Sequence, residues 1–188
     1  GEFRGGVCCV ARGGVEVRVL PDGVRSGWSL DNSDGKMMKD AGCKFAYYHP
    51  VASWRVDRTN RRSHRRDLIV DGRIGFTGGA AFSDQWSGHA QDKLHWRDTH
   101  ARLEGPIVNA LQAAFQAHWI KTSKEALSGD GQFPALPPAG NLRAQVIESK
   151  SFSSAPIPLV QAITFAAAEK RIWITNPYCT PTDNQVAL

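Results

Sequence analysis

His64 is followed two positions later by Arg66 and seven positions later by Asp71, and the glycine pair Gly78-Gly79 comes soon after. In an extended segment, residues two apart share a face, so an imidazole and a permanent cation would face one spot. A phosphodiester anion calls for that pairing. It needs a nucleophile or proton donor that works near neutral pH and a fixed positive charge for the phosphoryl oxygens. Backbone N–H groups of Gly78 and Gly79 would add donors for the same anion. Each residue also has a simpler use. A histidine among arginines is often only solvated, Asp71 can serve as the first residue of a turn, and Gly78-Gly79 can bend a strand.

The charge distribution points the same way. The formal net charge is +5, and Arg55, Arg58, Arg61, Arg62, Arg65 and Arg66 cluster with only Asp57 opposing them. Such a cluster suits lipid head groups, nucleic acid or a phosphodiester substrate, although it also reads as a solvated basic loop. At 41% apolar and 22% charged residues the composition is that of an ordinary globular protein. No apolar run approaches the roughly 18 to 20 residues of a membrane span. Cys8, Cys9, Cys43 and Cys179 form no C-x-x-C pair and no Cys/His set with zinc spacing. They read as buried, reduced thiols, and neither a metal nor a cofactor is expected.

The elements that must position these residues follow from periodicity. Residues 15–20 alternate apolar and charged side chains, a half-buried strand closed by Pro21-Asp22-Gly23. Residues 33–41 read as a short helix carrying Met37 and Met38, and residues 43–48 as a second strand. An arginine-rich connection spans residues 50–63. Leu68-Ile69-Val70, Asp71-Gly72 and Arg73-Ile74-Gly75-Phe76 form a hairpin signal with a two-residue turn. Residues 96–103 read as a strand. Gly105-Pro106 then opens a helix whose Ile107, Val108, Leu111, Phe115 and Trp119 share one apolar face. Residues 121–141 hold three prolines and three glycines and read as a linker. Beyond it come a candidate strand at 143–148, an Ala-rich helix at 159–169 and a buried strand at 172–174 that ends at Asn176-Pro177-Tyr178. A helix end feeding a strand therefore occurs twice, at residues 11–18 and again at 169–175, in the manner of a weak internal repeat.

The order and spacing of His64-Arg65-Arg66-Asp67-Leu68-Ile69-Val70-Asp71 resemble the HxKxxxxD motif of the phospholipase D superfamily, with Thr77-Gly78-Gly79 at the place of its small-residue turn. The surrounding text is most similar to bacterial cardiolipin synthases and their phospholipase D-like relatives. It includes Asn60-Arg61-Arg62-Ser63-His64, Trp96-Arg97-Asp98-Thr99-His100 and Arg171 through Tyr178 with Pro181. The fold implied is α/β, a mixed sheet flanked by helices. Residues 1–121 would form one lobe, 122–141 a linker, and 142–188 the truncated start of a second pseudo-repeat lobe, as in a fragment of a longer enzyme.

The resemblance also implies roles. His64 attacks phosphorus to give a phosphohistidine, or protonates the leaving alcohol. Arg66 holds the phosphoryl oxygens, Asp71 pins the turn, and Asp98 hydrogen-bonds the catalytic imidazole. Gly78 and Gly79 belong to the phosphate-binding set. The implied activity is phosphatidyl transfer or phosphodiester hydrolysis on an anionic glycerophospholipid, without metal or cofactor, at a bacterial membrane, on its cytoplasmic side. The partner histidine would come from a second motif in the same parent chain or from a homodimer partner. One alternative is a single-motif nuclease half-site, active only as a dimer on nucleic acid. Another is an impaired phosphate-binding module. Three positions depart from the family pattern: Arg66 replaces lysine, Asp67 an apolar residue, and Ala81 the common asparagine. Arginine keeps the charge but changes its reach, hydration and geometry.

Overall fold

The computed structural model describes residues 2–23, 32–48, 63–129, 131–148 and 156–175. The arginine-rich connection up to residue 62, the expected strand end at 176–178 and Cys179 lie outside these. In chain order the elements are helix α1 (Glu2–Arg12), strand β1 (Arg18–Val19), helix α2 (Asn32–Asp40), β2 (Lys44–Phe45), β3 (Asp67–Val70), β4 (Ile74–Gly78) and a 3-10 turn (Asp84–Trp86). Then follow β5 (His100–Glu104), α3 (Ile107–Ser123) and α4 (Pro156–Ala166). The mixed α/β class expected from the sequence is the class observed. The chain divides into two compact units, Gly1–Ala144 and Gln145–Leu188.

In the first unit β1 and β2 pair in parallel, and β3-β4-β5 form an antiparallel meander. The parallel pairing extends past the strands proper. Lys44 N–H donates to Val17 O (2.8 Å), Tyr48 N–H to Pro21 O (2.9 Å) and Gly23 N–H to Tyr48 O (2.7 Å). Pro21-Asp22-Gly23 therefore continues the ladder instead of closing the strand, because Pro21 needs only its carbonyl to take part. Helices α1 and α2 cover this sheet through a small core of Cys8, Met38, Ala41 and Cys43, against which Val7, Val17 and Val19 pack. Burial pushes the Cys43 thiol pKa up. Cys8 and Cys43 are buried as expected, whereas Cys9 is exposed.

The hairpin forms where expected, with Asp71 (φ 52) and Gly72 (φ 62) supplying the left-handed backbone. Its loop is one residue longer than expected. Val70 pairs with Ile74, so Asp71, Gly72 and Arg73 all lie in the turn, with Arg73 N–H bonded to Val70 O at 3.0 Å. The strand expected over residues 96–103 begins only at His100, and residues 96–99 make the approach to it.

Helix α3 joins the two sheets. Pro106 (φ −58) enters the helix, Val108, Leu111, Gln112, Ala114 and Trp119 are buried, and Ile107 and Phe115 are half-buried. Near its start the helix lies close to β4, where a Cβ on Gly75 would stand 2.9 Å from Leu111 Cδ2. Near its end it meets the parallel sheet. His118 stacks on Tyr48 (4.5 Å between centroids), and Arg18 lies 6.0 Å from the Trp119 ring. The Pro/Gly-rich stretch after α3 folds back on the same lobe. Asn109 Nδ2 donates to Pro134 O and Gln112 Nε2 to Gln132 Oε1, each at 3.0 Å, while residues 131–134 crowd Gly72.

In the second unit α4 starts three residues earlier than the expected 159–169 helix and stops at Ala166. Residues 143–148 and 172–174 are not in strands, and Trp173 is 84% exposed. A strand exists only where a neighbour supplies its hydrogen bonds. β1 obtains that neighbour from Lys44–Phe45, whereas among the described residues nothing pairs with residues 172–174.

Two predictions test this packing. Leu111→Ala should destabilise the chain by about 2–5 kcal/mol, read from denaturant unfolding, because the buried side chain leaves a cavity between helix and sheet. The second concerns Glu125 and Glu16, whose carboxyl pKa values are held below the ordinary range, chiefly by hydrogen bonds from Lys44. Depressed carboxyl pKa values stabilise the fold above the unfolded value near ~4.3, and this contribution fades as pH falls through the folded values. Glu125→Gln should thus lower the melting temperature at pH 7, and the difference should disappear by about pH 3.

Candidate phosphodiester site

Antiparallel pairing brings three chain segments to one end of the β3-β4-β5 sheet. Asp67 at the start of β3 pairs with Thr77, and at the end of β4 Gly78 pairs with His100. Residues 63–66 lead into that end, 79–81 leave it, and 97–99 approach it. His64, Arg66, Gly78, Gly79 and Asp98 therefore gather there from positions up to 34 apart in the sequence. Asp71 does not join them. At about 3.3 Å per extended residue it lies roughly 23 Å along the chain from His64, in the turn at the other end of the hairpin.

The segment carrying His64 is held from three sides. Ser63 N–H donates to Asp22 Oδ2 at 2.6 Å, tying the segment to the parallel sheet. Arg65 Nη1 donates to the Ala114 carbonyl of α3 at 2.9 Å. Thr77 Oγ1 donates to Asp67 Oδ1 at 2.7 Å across the hairpin, which gives the unusual Asp67 a structural partner. With Arg65 directed at the helix, alternation along extended backbone sends His64 and Arg66 to the opposite side. His64 is exposed, and among the described residues nothing hydrogen-bonds its ring. Arg66 is half-buried, with its guanidinium carbon 5.8 Å from the centroid of the Trp86 ring.

The glycine pair has a steric reason. A Cβ on Gly78 would strike the Thr99 carbonyl, and a Cβ on Gly79 would overlap the Asp98 carboxylate. These positions let the approach to β5 cross β4 closely, so that Asp98 lies directly over Gly79. The Gly79 N–H donates to Thr99 O at 3.2 Å, and a phosphate oxygen would have to displace that bond to use it. Asp98 Oδ1 accepts from Thr99 N–H at 2.7 Å, and no hydrogen bond joins Asp98 to His64. Ala81 accepts from Ser83 N–H at 2.9 Å through its backbone, so its side chain contributes no polar group.

The contributions of Asp22, Ala114 and Trp86 had no local signal, because each lies at least 20 residues from its partner. Of the other described histidines, His95 Nδ1 is 2.7 Å from Asp92 Oδ1, His118 stacks on Tyr48 and His89 N–H donates to Gln91 Oε1, whereas His100 pairs with Gly78 at the same sheet end as the site. Among the described residues no cluster of three or more His, Cys, Asp or Glu is arranged to hold a metal, and no helix is long and apolar enough to cross a membrane.

The segments bearing His64, Arg66 and Asp98 thus meet at one sheet end, the arrangement expected of residues that would handle a phosphoryl group. Comparison with known proteins gives this arrangement its family. The chain is 32% identical to cardiolipin synthase 1 of Bacillus cereus, across 95% of this chain and 37% of that protein. It is 31% identical to the cardiolipin synthase of Alkalihalophilus pseudofirmus across 93% of this chain and 35% of that protein. A probable cardiolipin synthase of Bacillus subtilis matches at 32%, again across 93% of this chain and 35% of its own length. These similarities, which run over nearly the whole of this chain, bear out the resemblance to the phospholipase D superfamily read from the motif. It spans little more than a third of the length of these relatives. No family model matches it, and no solved structure does.

The close crossing at Gly79 is directly testable. Gly79→Ala should destabilise the chain by about 1–3 kcal/mol through overpacking against Asp98. Adding Asp98→Ala should recover most of the loss, which a double-mutant cycle of melting curves would show. Additive losses would mean that Asp98 does not lie against the glycine.

Proposed function

We propose that this chain supplies the first half of a phosphatidyl-transfer site acting on anionic glycerophospholipids. The observation that carries the reading is the convergence of His64, Arg66 and Asp98 at one sheet end, in a chain similar to cardiolipin synthases over nearly its whole length. An imidazole nitrogen of His64 attacks phosphorus, and the bond from phosphorus to the leaving alcohol breaks. The alcohol takes its proton from an acid supplied by a second half-site, either in the same parent chain or in a partner copy. A hydroxyl group then attacks the phosphohistidine, loses its proton to that second group and frees His64. Water as acceptor gives hydrolysis. A glycerol hydroxyl of phosphatidylglycerol gives cardiolipin.

Charge decides the division of labour. Arg66 offsets the negative charge that builds on the phosphoryl oxygens. Asp98, on the approach to β5, is two strands over from the nucleophile's segment with β4 between them, and in this reading its carboxylate comes to accept from the imidazole once the substrate is bound. That contact would fix the tautomer and stabilise the charged ring. Asp71 acts only through the turn it occupies.

The test uses the full-length natural protein with vesicles containing radiolabelled phosphatidylglycerol. His64→Ala should lower turnover by at least about a hundredfold, and acid-labile label should accumulate on His64 of the unmodified protein after a rapid quench. Unchanged turnover in His64→Ala would sink the reading. Cleavage of DNA with no turnover of lipid would favour the nuclease alternative.

A further inference from the structure

Three arginine side chains of the first unit are matched with carboxylates: Arg4 with Asp34, Arg18 with Glu16 and Glu125, and Arg102 with Glu104. Arg66 is not. Among the described residues it has no carboxylate partner, and its guanidinium carbon instead lies 5.8 Å from the centroid of Trp86, within the range of a cation–π contact. Trp86 closes the 3-10 turn Asp84–Trp86, where its N–H donates to Ser83 O at 3.0 Å. Behind it stands Trp96, meeting the ring edge-on at 4.8 Å between centroids and 83° between planes. The Trp96 N–H donates to Gln85 O at 2.6 Å, which closes the part of the β4–β5 loop between these two residues.

We propose that Trp86, braced by Trp96, is the positioning residue that aims Arg66 at the phosphoryl group. The inference rests on the phosphate-binding reading of His64 and Arg66 given above. A carboxylate partner would hold the guanidinium equally well, but it would neutralise the charge and occupy its donors. An aromatic face restrains the guanidinium and leaves its five N–H donors free for oxygen. The planar, weakly hydrated guanidinium stacks on such a face better than a compact ammonium does. An indole platform at this point thus suits an arginine in a position where the motif otherwise carries lysine. The pair links the β4–β5 loop to the segment bearing His64 without spending the site's positive charge.

The experiment measures the affinity of this 188-residue chain for inorganic phosphate by titration calorimetry at fixed ionic strength, with a melting curve for every variant. Trp86→Leu should weaken phosphate binding by about two- to fivefold, as expected for an exposed cation–π contact, and Trp86→Tyr by less. Biosynthetic replacement of tryptophan by 5-fluorotryptophan keeps ring size while weakening the negative face, so it separates positioning from packing. It should also weaken phosphate binding while leaving the melting temperature within about a degree. This arm serves equally if Trp86→Leu fails to fold. Undiminished phosphate affinity in the fluorinated protein, or in a folded Trp86→Leu variant, would overturn the proposal. If Arg66→Ala still loses phosphate in that case, the phosphate-binding reading stands without the platform. A parent chain that binds no phosphate, or an Arg66→Ala variant that binds it normally, would overturn both.

Discussion

Helix α3 is the constraint on which the first lobe depends. Its buried stripe of Val108, Leu111, Ala114 and Trp119 is shared between two sheets that do not hydrogen-bond to each other. Each buried valine or leucine of this kind contributes about 1.5–3 kcal/mol, so the stripe outweighs the exposed ion pairs around it, whose attraction water screens. The same helix sets the position of the reactive segment. The Ala114 carbonyl accepts from Arg65, so the arginine between His64 and Arg66 is anchored on the helix backbone. Any shift of α3 across the sheet would carry that anchor with it.

A second requirement is close approach of backbone at the sheet end. Gly75 admits Leu111, and Gly78-Gly79 admit the residues leading into β5. Side chains at these positions would push helix or strand away. The three segments that carry His64, the glycine pair and Asp98 meet only because the central strand of the meander is thin where its neighbours cross it. The small residues thus do for the backbone what the buried leucine and tryptophan do for the core.

The hairpin, α2 and α3 were legible because their signals are local. Asp71-Gly72 takes positive φ at small cost, and the apolar spacing from Val108 to Trp119 matches a helix. The site was legible in part, since His64 and Arg66 are two residues apart and the motif spacing is distinctive. Asp22, Trp86 and the Ala114 carbonyl were not, because contacts between distant segments leave no periodic trace. Residues 172–174 show the converse error. Their composition suits a buried strand, yet Trp173 is exposed and no neighbour pairs with the segment among the described residues.

By itself the sequence determined the chemistry on offer: an imidazole and a fixed cation side by side, a hairpin to carry them, and a helix to cover the hairpin. These follow from residue type and short-range spacing, which act before any tertiary contact forms. Only the tertiary structure decided which other groups share the site. Antiparallel pairing set Asp98 over Gly79 and left Asp71 at the far turn, while loop closure through Trp96 put Trp86 beneath Arg66. The physical reason is that strand register and helix packing are settled by burial and hydrogen bonding over the whole lobe, and no short window of residues contains that sum.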